Sequence, residues 1–503
     1  LCVRKKYITG LLTETIMKCL LKYALAFLSL NCPYSLYAQA PDTLWTKTIG
    51  GVDWEWGRSV QQTINGGYIV TGCTYSFGNG EGDIYLLYID ATGKMQWSKT
   101  FGGADNDEGY SVQQTSDGGF IIAGKTYSYG AGSSDIILLK TDANGDSIWA
   151  RTFGGTDMDE AYSVQQTMDG GYILTGITIS DSTGLSDILL LKTNPNGDSL
   201  WAKTFGGNQL DIGESVQQTA DSGYIIVGYT LSYGAGGDVY IIKTDINGDT
   251  IWTKIYGDVF TNYGRSVQQT TDSGYIITGY TDPYWGTTYA FLIKTDVNGD
   301  TIWTKNYHNG MGIGSFVQQT TDGGYIIAGY NWRYGFNSYD VFLIKTNAIG
   351  DTIWTKTIGG AADDGSYSIQ QTNDEGYIVT GWTKSYGAGK HDVYLIKLKP
   401  ESNGIEEVTN NNFVLISNPE PNPFFNRTTI RYTLQKQTDL KIDIYNLTGQ
   451  KIKELFSGRQ YPGSYQICWD GTGNRGEKLS SGIYFLVIKE FNSQTNRKLL
   501  LLR

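Results

Sequence analysis

Only two histidines, His308 and His391, stand among the 503 residues, and neither lies in a recognisable catalytic or metal-binding motif. A nucleophile–His–acid set has little to assemble from, and HExxH, a P-loop and clustered cysteines are absent from the sequence. Carboxylates remain as a source of chemistry. A pair of them can hydrolyse glycosides, but Glu214 is the only one expected at a central opening, and it has no evident partner. The Asp-x-Asn-Gly-Asp segments 142–146, 245–249 and 296–300 suggest calcium at first sight. Calcium loops put glycine at the sixth place and oxygen ligands at alternate positions. Here glycine is fourth, where a hairpin turn wants positive φ, so turn chemistry is the better account. Asp105, Asp107 and Glu108, or Asp157, Asp159 and Glu160, are the fairer calcium candidates. No other cofactor is expected, and no constellation commits the chain to catalysis.

What would position any of these residues is a repeat. A Ser-Val-Gln-Gln-Thr phrase, or a near copy, recurs with its aliphatic at Val60, Val112, Val164, Val216, Val267, Val317 and Ile369. An apolar-Trp-x-Lys/Arg phrase recurs at Trp45, Trp97, Trp149, Trp201, Trp252, Trp303 and Trp354. Both step by 50 to 52 residues. One unit predicts four strands: A (Tyr110 to Thr115), B (Phe120 to Thr126), C (Asp135 to Thr141) and D (Ser147 to Phe153). Gly/Asp/Asn turns separate A from B and C from D, as antiparallel hairpins require.

Runs such as Ile136-Ile137-Leu138-Leu139 are apolar on both faces, so these strands are covered on both sides. Radially stacked four-stranded sheets meet that demand. A strand D (Asp42 to Gly50) comes once too early, and the last unit has A, B and C but no D. If the first strand completes the last sheet, no edge is left bare. The expected fold is therefore all-β: a seven-bladed β-propeller of four-stranded antiparallel blades, closed by the N-terminal strand, over residues 42–400. A polar linker (401–413) and a small immunoglobulin-like β-sandwich (414–503) follow.

The A–B and C–D turns are short and uniform, whereas the D–A and B–C loops are longer and vary, which points to the latter end as the functional face. The residue before each Ser-Val-Gln phrase reads Arg58, Tyr110, Tyr162, Glu214, Arg265, Ser315 and Tyr367. Here the repeat stops repeating, as a binding site needs. Trp285 and Trp332 in the B–C loops join these as candidate ligand contacts, since aromatic faces stack on sugars or hold protein partners. Tyr-Ser-Tyr-Gly in several B–C loops reads rather as packing, and the Gln pairs as amides bridging neighbouring blades.

Met17 opens a secretion signal (17–38): Lys18 and Lys22, an apolar run from Leu20 to Leu30, and small residues at Ala38 and Ala40. Residues 1–16 read as an over-extended start. The apolar run is shorter than the roughly 20 residues of a spanning helix. Past the leader only Cys73 and Cys468 remain, in different predicted domains, so no disulfide framework is expected. Residues 418–503 hold 13 Lys/Arg against 7 Asp/Glu, a net of +6, while the repeat region with its linker carries −21. That field repels phosphate backbones and argues against a nucleic-acid partner.

"DATGKMQW" and "DANGDSIW" resemble the repeats of quinoprotein-type, tryptophan-docked propellers, and the paired glycines at Gly118-Gly119 and Gly154-Gly155 resemble kelch repeats more weakly. Neither resemblance transfers a cofactor. The order NPF…TTIRYTL…IDIYNLTGQKI…GSYQICWDG…SSGIYFLVI…KLLLLR resembles the type A C-terminal sorting domain of type IX secretion substrates, and the related immunoglobulin-like domain of flagellar hook-capping proteins. The resemblance implies a Gram-negative, Bacteroidetes-like source. It also implies contact with the type IX machinery, export through the periplasm, and release or surface attachment, often after cleavage of the tail. The expected function is an exported or cell-surface binding or adhesion protein with a carbohydrate or protein ligand. A secreted polysaccharide hydrolase and a structural envelope protein are the alternatives.

Overall fold

The computed structural model describes residues 39–503 apart from 180–184, 284–287, 308–310, 334–337, 402–413, 417–418, 420, 435–436, 447–448, 462 and 491–492. The expected start (1–16), signal peptide (17–38) and all but the first residue of the linker lie outside the described residues. Every described element is a strand, and no helix is long and apolar enough to cross a membrane among the described residues.

In the second repeat the strands run Asp107–Gln114, Phe120–Thr126, Asp135–Thr141 and Ser147–Phe153, paired antiparallel in that order. The last three have the bounds that the turn residues predict. The C–D turn closes because the Asp142 carboxylate accepts the backbone N–H groups of Asn144 and Asp146 at 2.8 and 2.9 Å, while Gly145 takes φ of 79°. This is turn chemistry, as the position of the glycine predicts. Strand A starts at Asp107, three residues before the expected Tyr110, because a β-bulge interrupts its alternation between Gly109 and Ser111. Period-2 patterning does not read through a bulge.

Seven such four-stranded sheets occur, six built from four consecutive strands. The seventh joins Asp364–Gln371, Tyr377–Thr383 and Asp392–Leu398 to the first strand of the chain, Thr43–Ile49, with Trp45 opposite Lys397 and Thr48 opposite Tyr394. Strands B and C are buried on both faces. The reason is that each sheet shares one apolar cluster with the sheet before it and another with the sheet after. The last sheet shares a cluster with the first: Ile378, Val393 and Leu395 pack with Val60, Tyr68 and Val70. Full burial of each such aliphatic contributes about 1.5–3 kcal/mol, and two covered faces double the number of such side chains per strand.

Each strand D tryptophan meets an aromatic of the next repeat edge-on or tilted, from Trp45–Tyr68 at 5.9 Å and Trp97–Phe120 at 6.1 Å to Trp354–Tyr377 at 6.0 Å. The Gln pairs of the strands A do the corresponding work with amides. Gln61 Oε1 accepts the Gln114 backbone N–H at 2.5 Å, and the pattern continues from repeat to repeat until Gln370 accepts from Gln62 at 2.5 Å.

The C-terminal part contains two immunoglobulin-like sheets. One holds Val414–Ile416, Thr428–Leu434 and Gly463–Trp469. The other holds Lys451–Gln460, Thr438–Asn446, Gly482–Glu490 and Ser493–Leu501. Phe424, Ile442, Trp469, Leu486 and Leu499 share one core. Cys73 is buried, Cys468 half-buried, and both are free thiols.

Candidate functional site

The seven residues at which the repeat diverges all occupy the same backbone feature. In each strand A the register shifts across Arg58, Tyr110, Tyr162, Glu214, Arg265, Ser315 or Tyr367, which is thereby the extra residue of a β-bulge. A bulge re-aims a side chain that a regular ladder would hold perpendicular to the sheet. The neighbouring strand B must then carry glycine. A Cβ on Gly124 would lie 1.8 Å from the Glu108 carbonyl oxygen, so the close approach admits no side chain.

All seven bulge residues line one cavity of about 550 Å³, a size within the range of small-ligand pockets. Its deeper wall is formed by serines of the repeated phrase, such as Ser59, Ser163 and Ser215, with Phe316 replacing serine in the sixth repeat. Those hydroxyls are held in place by accepting backbone N–H groups from the next sheet, Ser163 from Val216 at 3.3 Å for example. Beyond them lies a second space of about 220 Å³ lined by Ser, Val or Ile, and Gln side chains of all seven strands A.

The cavity lining is chemically divided. Arg265 Nη1 donates to Glu214 Oε1 at 2.5 Å, and its guanidinium lies 5.7 Å from the Tyr280 ring centre. Burial pushes Glu214 up, Arg265 and Arg58 pull it down, and the balance stays on the raised side. Tyr162 donates its hydroxyl to Glu160 Oε2 at 2.9 Å, and Lys125 stands 3.3 Å from Glu160 and 3.8 Å from Glu108. Burial, then Glu160, pushes the Tyr162 phenol up, which keeps it a donor. Arg58 is packed face-on against aromatics, 4.5 Å from the Tyr367 ring centre and 5.5 Å from that of Tyr110. Ile313, Phe316 and Tyr330 add an uncharged part to the lining.

Of the residues singled out from sequence, Arg58, Tyr110, Tyr162, Glu214, Arg265, Ser315 and Tyr367 are brought together. Trp332 is not: it lies on Tyr325–Arg333, away from the cavity lining, and packs edge-on against Tyr339 at 5.0 Å. A B–C aromatic opposite its own hairpin partner is used up in packing. Trp285 lies outside the described residues. Glu214 is not the only carboxylate at the opening, because Glu160 lines the same cavity and Arg265 is Glu214's partner. The signal for Glu160 was its place two residues before the divergent position, hidden by the bulge.

The calcium candidates are separated by structural duties. The Asp107 carboxylate accepts from Gly103 N–H and Ser128 Oγ at 2.8 and 2.7 Å, and that of Asp159 from Gly155 N–H at 2.8 Å. Among the described residues no group of three His, Cys, Asp or Glu is placed to hold a metal ion. The Tyr-Ser-Tyr-Gly loops are stitched down, with the Tyr129 hydroxyl donating to the Gly102 carbonyl at 3.0 Å.

Comparison with known proteins finds similarity at two levels. Residues 426–494 match the FlgD Ig-like domain family. A curated relative, Regulatory protein FlaEY of Caulobacter vibrioides, is 28% identical over 131 residues, which is 24% of this chain and 13% of that protein. Two solved structures align over 92% of this chain. PorZ, described as a bacterial surface component of the type-IX secretion system of Porphyromonas gingivalis, has 10% identity, TM-score 0.41 and 61% of its own chain covered. A fungal alcohol oxidase in complex with copper has 11% identity, TM-score 0.45 and 100% of its chain covered.

Proposed function

We propose that the seven sheets close into a seven-bladed β-propeller spanning residues 42–400, and that it is the ligand-binding part of an exported or cell-surface protein that takes up carbohydrate at the D–A/B–C end. The observation that carries this reading is the convergence of all seven divergent bulge residues on one cavity. Closure is supported by the pairing of Thr43–Ile49 with Asp392–Leu398 and by the core shared between the last sheet and the first. Carbohydrate is supported by the division of the lining. Tyrosines and the uncharged part suit the C–H faces of a sugar, while the charged groups and the serines suit its hydroxyls. The test is glycan-array binding by the whole chain. Binding that falls at least tenfold in Tyr110→Ala and Tyr367→Ala supports the reading, and binding indifferent to both overturns it.

Glu160 and Glu214 in one cavity favour polysaccharide hydrolysis as a second reading. Release of reducing sugar that is lost in Glu214→Gln and Glu160→Gln would replace binding by catalysis.

Residues 414–503 act, in this proposal, as a type IX export and surface-attachment signal, following the signal peptide. The segments quoted from sequence support it, and the match of residues 426–494 to the FlgD Ig-like domain fits the related hook-capping branch equally. Deleting 414–503 in a host with type IX secretion should trap the chain in the periplasm. Undiminished appearance at the surface would make the domain an assembly module instead.

A further inference from the structure

Two cations, Arg58 and Arg265, line the cavity, and a third, Lys125, pairs with its Glu160; they are not equivalent. Arg265 is engaged by Glu214 at 2.5 Å. Lys125 is shared between Glu160 and Glu108 at 3.3 and 3.8 Å. Arg58 has a weaker arrangement. Its paired carboxylate, Glu108, stands at 3.7 Å and already accepts from Asn106 Nδ2 at 3.0 Å. Arg58 Nε is buried without a hydrogen-bond partner among the described residues.

A guanidinium has five N–H donors in one plane and no means of shedding its charge. Tyr367, Tyr110 and Trp56 surround Arg58 with ring centres at 4.5, 5.5 and 5.9 Å. Aromatic rings stabilise the cation but accept no in-plane hydrogen bonds. Arg58 is thus oriented and partly desolvated at the cavity wall, its Nε closed off from solvent and its terminal nitrogens held only by the 3.7 Å contact with Glu108. The acceptor that matches a planar fork of donors is a carboxylate, which takes two parallel N–H···O bonds.

We infer that Arg58 is the carboxylate-recognising residue of this cavity and that its ligand is an acidic sugar of the uronic-acid type. The inference rests on the carbohydrate reading above and narrows it to a class. The net charge of −21 over the repeat region and its linker does not oppose it at contact distance, because exposed charges are screened beyond about 8 Å at physiological salt. The three glutamates nearby are each already engaged by a cation or a hydrogen-bond donor.

The test is calorimetric titration of the whole chain with a uronic-acid oligosaccharide and with the same oligosaccharide after chemical reduction of its carboxyls to alcohols. The expected result is at least tenfold tighter binding of the acidic form. That gap should close in Arg58→Gln and shrink in Arg58→Lys, which keeps the charge but not the fork. Equal affinity of the native chain for both forms overturns the inference and leaves the carbohydrate reading standing, and this arm needs no variant to fold. A gap that survives in Arg58→Gln also overturns it. Binding of neither form, or displacement of the acidic sugar by an acidic peptide at equal concentration, overturns the carbohydrate reading itself.

Discussion

At the scale of single residues, the site exists because two small positions face each other. Gly109 precedes the bulge residue Tyr110, and Gly124 stands opposite on strand B. Gly124→Ala would press a methyl group onto the Glu108 carbonyl oxygen, 1.8 Å away, and the backbone would have to move. Overpacking of this kind costs about 1–3 kcal/mol, so the urea midpoint should fall and Tyr110 should lose its aim. Unchanged midpoint and unchanged ligand binding in Gly124→Ala would refute this account of the bulge. The sequence displays the glycines and the divergent residues, but not the bulge that links them. A reader of alternation alone starts strand A at Tyr110 and so misses Glu160, because one inserted residue inverts the pattern behind it.

At the scale of the element, each A–B hairpin from the second repeat onward is locked by a buried lysine. Lys192 Nζ donates to Asp169 Oδ2 and to the Thr193 carbonyl, both at 2.9 Å. Five equivalent pairs recur at Lys140, Lys243, Lys294, Lys345 and Lys397. The first repeat has Asn65 and Tyr88 there, and Tyr88 stacks on Trp97 at 5.5 Å instead. Burial acts to raise Asp169, but hydrogen bonds from Thr167, Lys192 and the Gly171 N–H outweigh it and hold the carboxyl down at about 2. Its folded value therefore lies below its unfolded value of 3.8. The stabilisation is complete above roughly pH 4 and disappears as pH falls through about 2. Urea unfolding of the native chain and Asp169→Asn should show a clear gap in midpoint at pH 5 that closes by pH 2. A gap of constant size would contradict the assignment. The Lys and Asp types were plain in the sequence, yet 23 residues separate them. Only antiparallel pairing of strands B and C makes them neighbours.

At the scale of the molecule, the proposed closure depends on the strand Thr43–Ile49, which covers the edge of Asp392–Leu398 and brings Trp45 to Tyr68 of the first repeat. Removing residues 43–50 should expose that edge and one side of the core shared by the last and first sheets. We expect loss of cooperative unfolding or concentration-dependent association by light scattering, since bare edges pair with other chains. A shortened chain that stays monomeric with an unaltered midpoint would show that this strand closes nothing. By itself the sequence determined the strand count, the four-stranded unit, the displaced first strand and the seven positions where the repeat diverges. All of these follow from local patterning and from a period of 50 to 52 residues. Tertiary structure alone decided that those seven positions meet around one cavity, that Glu160 joins them, that Trp332 does not, and that the terminal nitrogens of Arg58 are only loosely held by Glu108. Such facts depend on distances between residues far apart in the chain, and a linear pattern carries no information about distance until packing brings the sheets into contact.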